Sequence, residues 1–186
     1  MNRDKAFKII KWLLISWGAL SLIGAISVGG FVAYRIGPGN RDRVDSASSS
    51  DVAFVLNWCN LGADRIEKVV HSYVSARSFT GDHLDAYAIK IKHIDVAELT
   101  ASTDDFRGRW YRGDQLPKVL DDAVGFVGSW PGSAKIQWFP TEKALRSREF
   151  YVYPCSIYLH GITPSATELI FVRPSDKMVF YFGGKM

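Results

Sequence analysis

From Trp12 to Tyr34 the chain runs for 23 residues without a charged side chain. At about 1.5 Å of rise per residue a helix of that length extends roughly 35 Å, enough to cross a hydrocarbon layer of about 30 Å with modest tilt. A cleaved signal peptide would have a shorter apolar centre, of about 7 to 15 residues, followed by a small-x-small site. Phe31, Val32, Ala33, Tyr34 and Arg35 offer no such site. The run therefore reads as an uncleaved signal-anchor, and the lipid bilayer is its expected partner. Arg3, Lys5, Lys8 and Lys11 before it outnumber Arg35, Arg41 and Arg43 after it. That bias places the N-terminus in the cytoplasm. The expected location is the cell inner membrane, single-pass, with a periplasmic or extracellular C-terminal domain. Ser21, Ala25, Gly29 and Ala33 recur every fourth residue and line one helix face with small side chains, a candidate surface for helix pairing and homo-oligomerisation.

The rest of the chain divides simply. Residues 1–11 form a cytoplasmic tail, 12–34 the transmembrane helix, 35–50 a flexible linker, and 51–186 one domain of ordinary size. Formal net charge is +4, yet residues 1–50 hold seven Lys or Arg against three Asp or Glu, and residues 51–186 hold sixteen of each. The excess belongs to the tail and linker, so no nucleic-acid-binding surface is expected.

Two cysteines, Cys59 and Cys155, fall in the domain. An oxidising compartment would let them pair. Such a disulfide would close a loop of nearly 100 residues, worth about 4 to 5 kcal/mol in the chain-entropy model. The alternative is two buried thiols acting as small apolar groups.

After the linker, Val52, Leu56, Cys59, Ala63, Ile66, Val70 and Tyr73 alternate spacings of four and three. That is one stripe of a long α-helix, begun by Ser50 and Asp51. Asp85 to Ile94 alternates as a strand, with Tyr87, Ile89, Ile91 and His93 on one face and Ala88, Lys90 and Lys92 on a wet face. Residues 95–113 show no period and read as a loop. Asp114 caps a second helix, with Pro117 in its first turn and Leu116, Leu120, Ala123, Val124 and Val127 on its apolar side, ending at Trp130-Pro131-Gly132. Strands are expected over 135–139, 149–159, 167–173 and 178–182, with Pro154 marking an edge or bulge and Gly183-Gly184 fraying.

This order gives an α+β domain, an antiparallel sheet of about four to five strands packed on a long helix and a second shorter helix on the same face. It resembles the element order of cystatin-like and nuclear-transport-factor-2-like (NTF2-like) folds. The likeness is one of order and carries no motif.

No chemical signature stands out. His71, His83, His93 and His160 lack a zinc-ligand spacing, and Asp82, His83 and Asp85 in one turn serve local hydrogen bonds more readily than a metal. No metal and no cofactor is expected. Serines lack a nucleophile elbow. Asp104-Asp105 and Asp121-Asp122 are neighbours whose side chains point apart. Tyr151, Tyr153, Tyr158 and Trp138 are expected to pack the sheet.

The candidate binding segment is Arg107, Arg109, Trp110, Tyr111 and Arg112. Arginines interleaved with aromatics dominate interaction hot spots and suit an anionic partner. The bland alternative puts Trp110 and Tyr111 in the core and pairs the arginines with Asp104, Asp105 and Asp114. Two functions follow as expectations. One is a membrane-anchored envelope protein binding another protein as an inhibitor, an immunity factor or an accessory subunit. The other is an anchored hydrolase or transferase, built on His83 or His160 with a carboxylate, for which a pocket lined by His and an acid would speak.

Overall fold

The computed structural model describes residues 3–37, 39–100, 106, 108–130 and 134–186, in two units that meet in sequence at Arg41 and Asp42.

The first unit is helix α1, Arg3–Ile36. Within it, Ile10–Tyr34 is the one helix among the described residues long and apolar enough to cross a bilayer, at a mean hydropathy of 1.8 with none of it buried. It contains the whole run read from the sequence. Ser21, Ala25, Gly29 and Ala33 all lie on it.

The second unit, Asp42–Met186, is built on one antiparallel sheet. Among the described residues its strands are β1 (Arg43–Val44), β2 (Ile66–Val74), β3 (His83–Ile91), β4 (Tyr111–Arg112), β5 (Tyr151–His160), β6 (Thr163–Arg173) and β7 (Met178–Lys185), in the spatial order β1-β2-β3-β7-β6-β5-β4. The sheet is larger than the four to five strands expected. Two of its strands, β1 and β4, have only two residues each. Asp42 to Ala47, assigned to the linker by composition, belong to this unit: Arg43 and Val44 pair with Val74 and Tyr73, and Ser72 Oγ accepts from the amides of Ser46 and Ala47.

Both faces of the sheet are covered. On one, α4 (Lys118–Gly128) presents Leu120, Ala123, Val124 and Val127 to Leu84, Ala86, Phe180, Phe182, Leu169 and Phe171. Phe139 meets Phe171, Phe180 and Phe182 edge-on at 5.8–6.0 Å between ring centroids. Arg146, just after α5 (Glu142–Leu145), ties this layer together by donating through Nε to Asp121 at 2.7 Å and by pairing with Glu142. On the other face, α2 (Ala53–Trp58) and α3 (Val96–Thr100) pack Val55, Leu56 and Leu99 against Tyr87, Ile89, Ile91, Ile170, Val172, Val179 and Tyr181. β3 is therefore buried on both sides, with Ala86 and Ala88 filling the face read as wet. The helices divide between two faces instead of sharing one.

The long helix expected from Asp51 to Tyr73 ends at Trp58, where Asn60 takes φ 60° and Gly62 φ 82°, and Leu61 N donates back to Leu56 O at 2.9 Å. Left-handed backbone of this kind closes a helix. Ile66, Val69, Val70 and Tyr73 then form β2. The cystatin-like and NTF2-like analogies rested on that helix. The second helix starts one turn later than read, with Pro117 as its N-cap and Asp114 in a preceding 3₁₀ turn. Ala134–Ile136 is a 3₁₀ turn and not a strand. Gly183 and Gly184 belong to β7, paired with Asp85 and Leu84 on one side and with Glu168 and Thr167 on the other, and the rings of Tyr181 and Phe182 fold back over them where a Cβ would collide. Asp104, Asp105, Arg107, Pro131 and Gly132 lie outside the described residues. Pro154 does mark a bulge, in which Cys155 is the extra residue between the pairs Pro154–Leu169 and Ser156–Glu168.

Candidate functional site

Residues 108 to 112 approach the sheet along the outer edge of β5. Gly108 takes φ 98°, after which Tyr111 and Arg112 pair with Val152 and Tyr151. Strand alternation then sends neighbouring side chains to opposite faces. Trp110 is buried on the α2 face, its ring 5.1 Å from that of Tyr153. Tyr111 is half-buried on the α4 face, 5.5 Å from Phe106. Both aromatics of the candidate segment are thus structural as well as lining.

The arginines behave differently from each other. Arg112 forks onto Asp114, with Nη2 donating to Oδ2 at 3.1 Å. This bond holds the Asp114 carboxyl below its ordinary range and raises the guanidinium. Arg109 is exposed and lays its guanidinium carbon 5.2 Å from the centre of the Tyr111 ring. Arg107 lies outside the described residues. Gly113 locks the segment: it is buried, its amide donates to Phe150 O at 2.8 Å, and a Cβ there would run into the carbonyl oxygens of Leu145 and Ser147.

Arg109, Trp110, Tyr111 and Arg112 converge on one cavity of about 190 Å³, closed by Leu99, Thr100, Gln115 and Tyr151. Ligand pockets usually measure about 300–1,000 Å³. This one is sized for a protruding side chain or a small anion. Four of the five residues singled out in the sequence are brought together here.

The cysteines do not form the expected disulfide; among the described residues both are unpaired thiols. Cys59 is buried at the end of α2, where its thiol donates back to Val55 O and Leu56 O at 3.3 and 3.5 Å, while Cys155 sits in the β5 bulge. Burial pushes Cys59 up to about 12 and raises Cys155 as well. Neither is a ready nucleophile at neutral pH.

The histidines are dispersed. His71 stacks on Trp138, ring centroids 5.2 Å apart, and His93 and His160 are exposed. In the Gly81-Asp82-His83 turn, Asp82 accepts from Thr80 Oγ1 at 2.7 Å and His83 Nδ1 lies 2.9 Å from Gly81 O. Among the described residues no group of three or more His, Cys, Asp or Glu is placed to hold a metal ion. Asp121 and Asp122 point apart, to Arg146 and Lys118.

Another cavity, of about 490 Å³, has no local signal in the sequence. His83, Ser156, Tyr158, Thr167 and Glu168 line it. Ser156 Oγ donates to Glu168 Oε2 at 2.7 Å, and Thr167 Oγ1 is buried without a partner among the described residues. Tyr158 is 64% exposed here, against the expectation that it packs the sheet. Only the alternation of Ser156 and Tyr158 along one strand could have signalled this cavity, and alternation alone does not say which face is covered.

Comparison with protein families, with curated proteins and with solved structures finds no match to this chain.

Proposed function

We propose that the protein is anchored in the cell inner membrane by α1 and that its α+β domain, outside the cytoplasm, binds another protein through the Arg109–Arg112 segment. The role would be that of an inhibitor, an immunity factor or an accessory subunit of a membrane assembly. One observation carries the reading: an exposed Arg109 lies over Tyr111, and both line a small cavity together with Trp110, Arg112 and Tyr151. A planar guanidinium pre-positioned on a ring loses little freedom when it meets a carboxylate. The partner is therefore expected to present an acidic side chain. Gln115 and Thr100 offer further hydrogen-bonding groups around the same opening. A photo-crosslinking residue at position 109 in native membranes should capture one defined protein, and Arg109→Glu should abolish its binding to the detergent-solubilised chain. Capture no greater than from position 175, on an exposed turn elsewhere on the domain, would refute the assignment.

A hydrolase reading draws on His83, Ser156 and Glu168 sharing one cavity. Register works against it. β7 lies between β3, which carries His83, and β6, which carries Glu168, so about 10 Å of sheet separates their backbones. Among the described residues no hydrogen bond joins His83 to the Ser156–Glu168 pair. Ser156→Ala would abolish activity if this reading were right, and would leave binding at position 109 untouched.

A further inference from the structure

The chain joins the sheet at one particular end. Arg43 and Val44 pair with Val74 and Tyr73, next to the β2–β3 turn, and register carries that end across β7 to the β5–β6 hairpin. Two large apolar side chains stand at the tips there: Phe79, 96% exposed in the 75–82 turn, and Ile162, 92% exposed at the β5–β6 turn, with Tyr158 and Leu159 exposed behind it.

The tips are built to hold these residues outward. In the first turn Ser78 N donates to Asp82 O, Gly81 N to Ser78 O, and Asp82 N to Ser78 Oγ, at 2.8–3.0 Å. Lys185 Nζ donates to Thr80 O at 3.2 Å and sets a positive charge beside it. In the second, Gly161 takes φ 63° and leaves Ile162 at the apex.

We infer that this end of the sheet inserts Phe79 and Ile162 into the interfacial layer of the same bilayer that holds α1, so that the domain rests on the membrane. The inference depends on the anchoring reading of α1. Two observations favour a lipid surface over a protein partner. First, residues 37–41 between Ile36 and Asp42 can span only about 20 Å when fully extended. A connection this short raises the effective concentration of the Asp42–Met186 unit at any bilayer that holds α1, so even a weak lipid contact is made effective. Second, the apolar groups are separate tips around Lys185, not one contiguous patch. A fluid interface accepts separated apolar points with a nearby cation, whereas a protein partner needs a continuous complementary surface. The Arg109–Arg112 cavity, whose β5 row pairs through Tyr151 with Val172 and Val179, lies toward the opposite end of the strands and stays accessible.

The test uses the full chain reconstituted in phosphatidylcholine–phosphatidylglycerol vesicles, with a fluorophore attached through p-azidophenylalanine replacing Phe79, Ile162, Ser175 or Ala25, one at a time. Lipid brominated in its chains should quench the labels at 79 and 162 roughly threefold or more above the label at 175, since interfacial side chains reach about 5–10 Å into the boundary. Phe79→Asp should also lower quenching of the label at 162. If 79 and 162 match 175 while 25 is strongly quenched, the docking is refuted and the anchor stands. If the label at 25 is not quenched, the anchor and the docking fall together. An unchanged label at 162 in the Phe79→Asp chain would refute joint insertion.

Discussion

The guanidinium of Arg109 lies 5.2 Å from the centre of the Tyr111 ring, with no place of its own in the core. Its neighbour Trp110 is buried against Tyr153. Substitutions one residue apart should therefore have very different costs. Arg109→Ala forfeits only an exposed cation–π contact, about 0.5–1 kcal/mol. Trp110→Ala opens a large void and should cost about 3–5 kcal/mol. Urea unfolding of the two variants checks this, and equal losses would show that Arg109 is structural. Binding at this site is accordingly best probed at position 109, since a Trp110 variant confounds recognition with folding.

Gly113 sets the register of that segment. Its α-carbon packs against the backbone of Leu145 and Ser147, which cannot retreat as a flexible side chain could. Gly113→Ala should destabilise the domain by about 1–3 kcal/mol through overpacking. It should also loosen the Arg112–Asp114 pair that follows. Denaturant midpoints report the first effect. Wild-type stability would mean that β4 slides freely along β5.

What the sequence disclosed and what it concealed can be traced to particular residues. α1, β3, α4 and the last strands were legible because their patterns are long and regular. β2 was concealed by its own bulges. Glu67 and Val70 are extra residues in its pairing with β3, so Ile66 and Val69 return to the same face after three residues and not two. The stripe read through Ile66, Val70 and Tyr73 has no common face: Ile66 and Tyr73 pack on opposite sides of the sheet, and Val70 is an exposed extra residue. β1 and β4 are too short to carry a period at all. Ile136 and Phe139 point into one core because a 3₁₀ turn joins them, with Phe139 N donating to Ile136 O at 2.9 Å. The candidate segment was legible by residue type, but which of its members remain exposed depends on pairing with β5. That pairing lies in long-range register and in no local pattern.

The unpaired thiols make stability fall on the alkaline side. Burial raises Cys59 from about 9 to about 12, and raises Cys155, Tyr87 and Tyr181 in the same direction. Above pH 9 the unfolded chain releases the Cys59 proton while the folded chain keeps it, so the folded state is progressively disfavoured. Stability should be intact below pH 9 and decline toward pH 12, by at most about 1.4 kcal/mol per pH unit for each such group. Urea midpoints between pH 8 and pH 11 measure the slope. Cys59→Ala should reduce it, and an unchanged slope would assign the effect to Cys155 and the tyrosines. At pH 8 Cys59 should react with a disulfide reagent only after unfolding.

Asp42 fastens the start of the folded unit. Its carboxylate accepts from Ala76 N at 2.7 Å and Tyr73 Oη at 3.1 Å and pairs with Lys135, and the Ala76 amide is the largest cause of its lowered pKa. A carboxylate of this kind contributes fully above its unfolded value of about 3.9 and ceases to contribute as pH falls through its lower folded value. The bond it anchors is read directly: Asp45 N donates to Ser72 O at 2.8 Å, beside the two-residue strand β1. Asp42→Ala at neutral pH should speed hydrogen exchange at Asp45 roughly tenfold, the equivalent of one charged hydrogen bond at about 1.5 kcal/mol. Amides in the middle of β3 and β7 should keep their protection, because they are held by neighbours on both sides. If Asp45 exchanges no faster in the variant, β1 is held by Ser72 alone. The chain would then be fastened to the domain later than Asp42, lengthening the tether and weakening the case for a domain that rests on the bilayer.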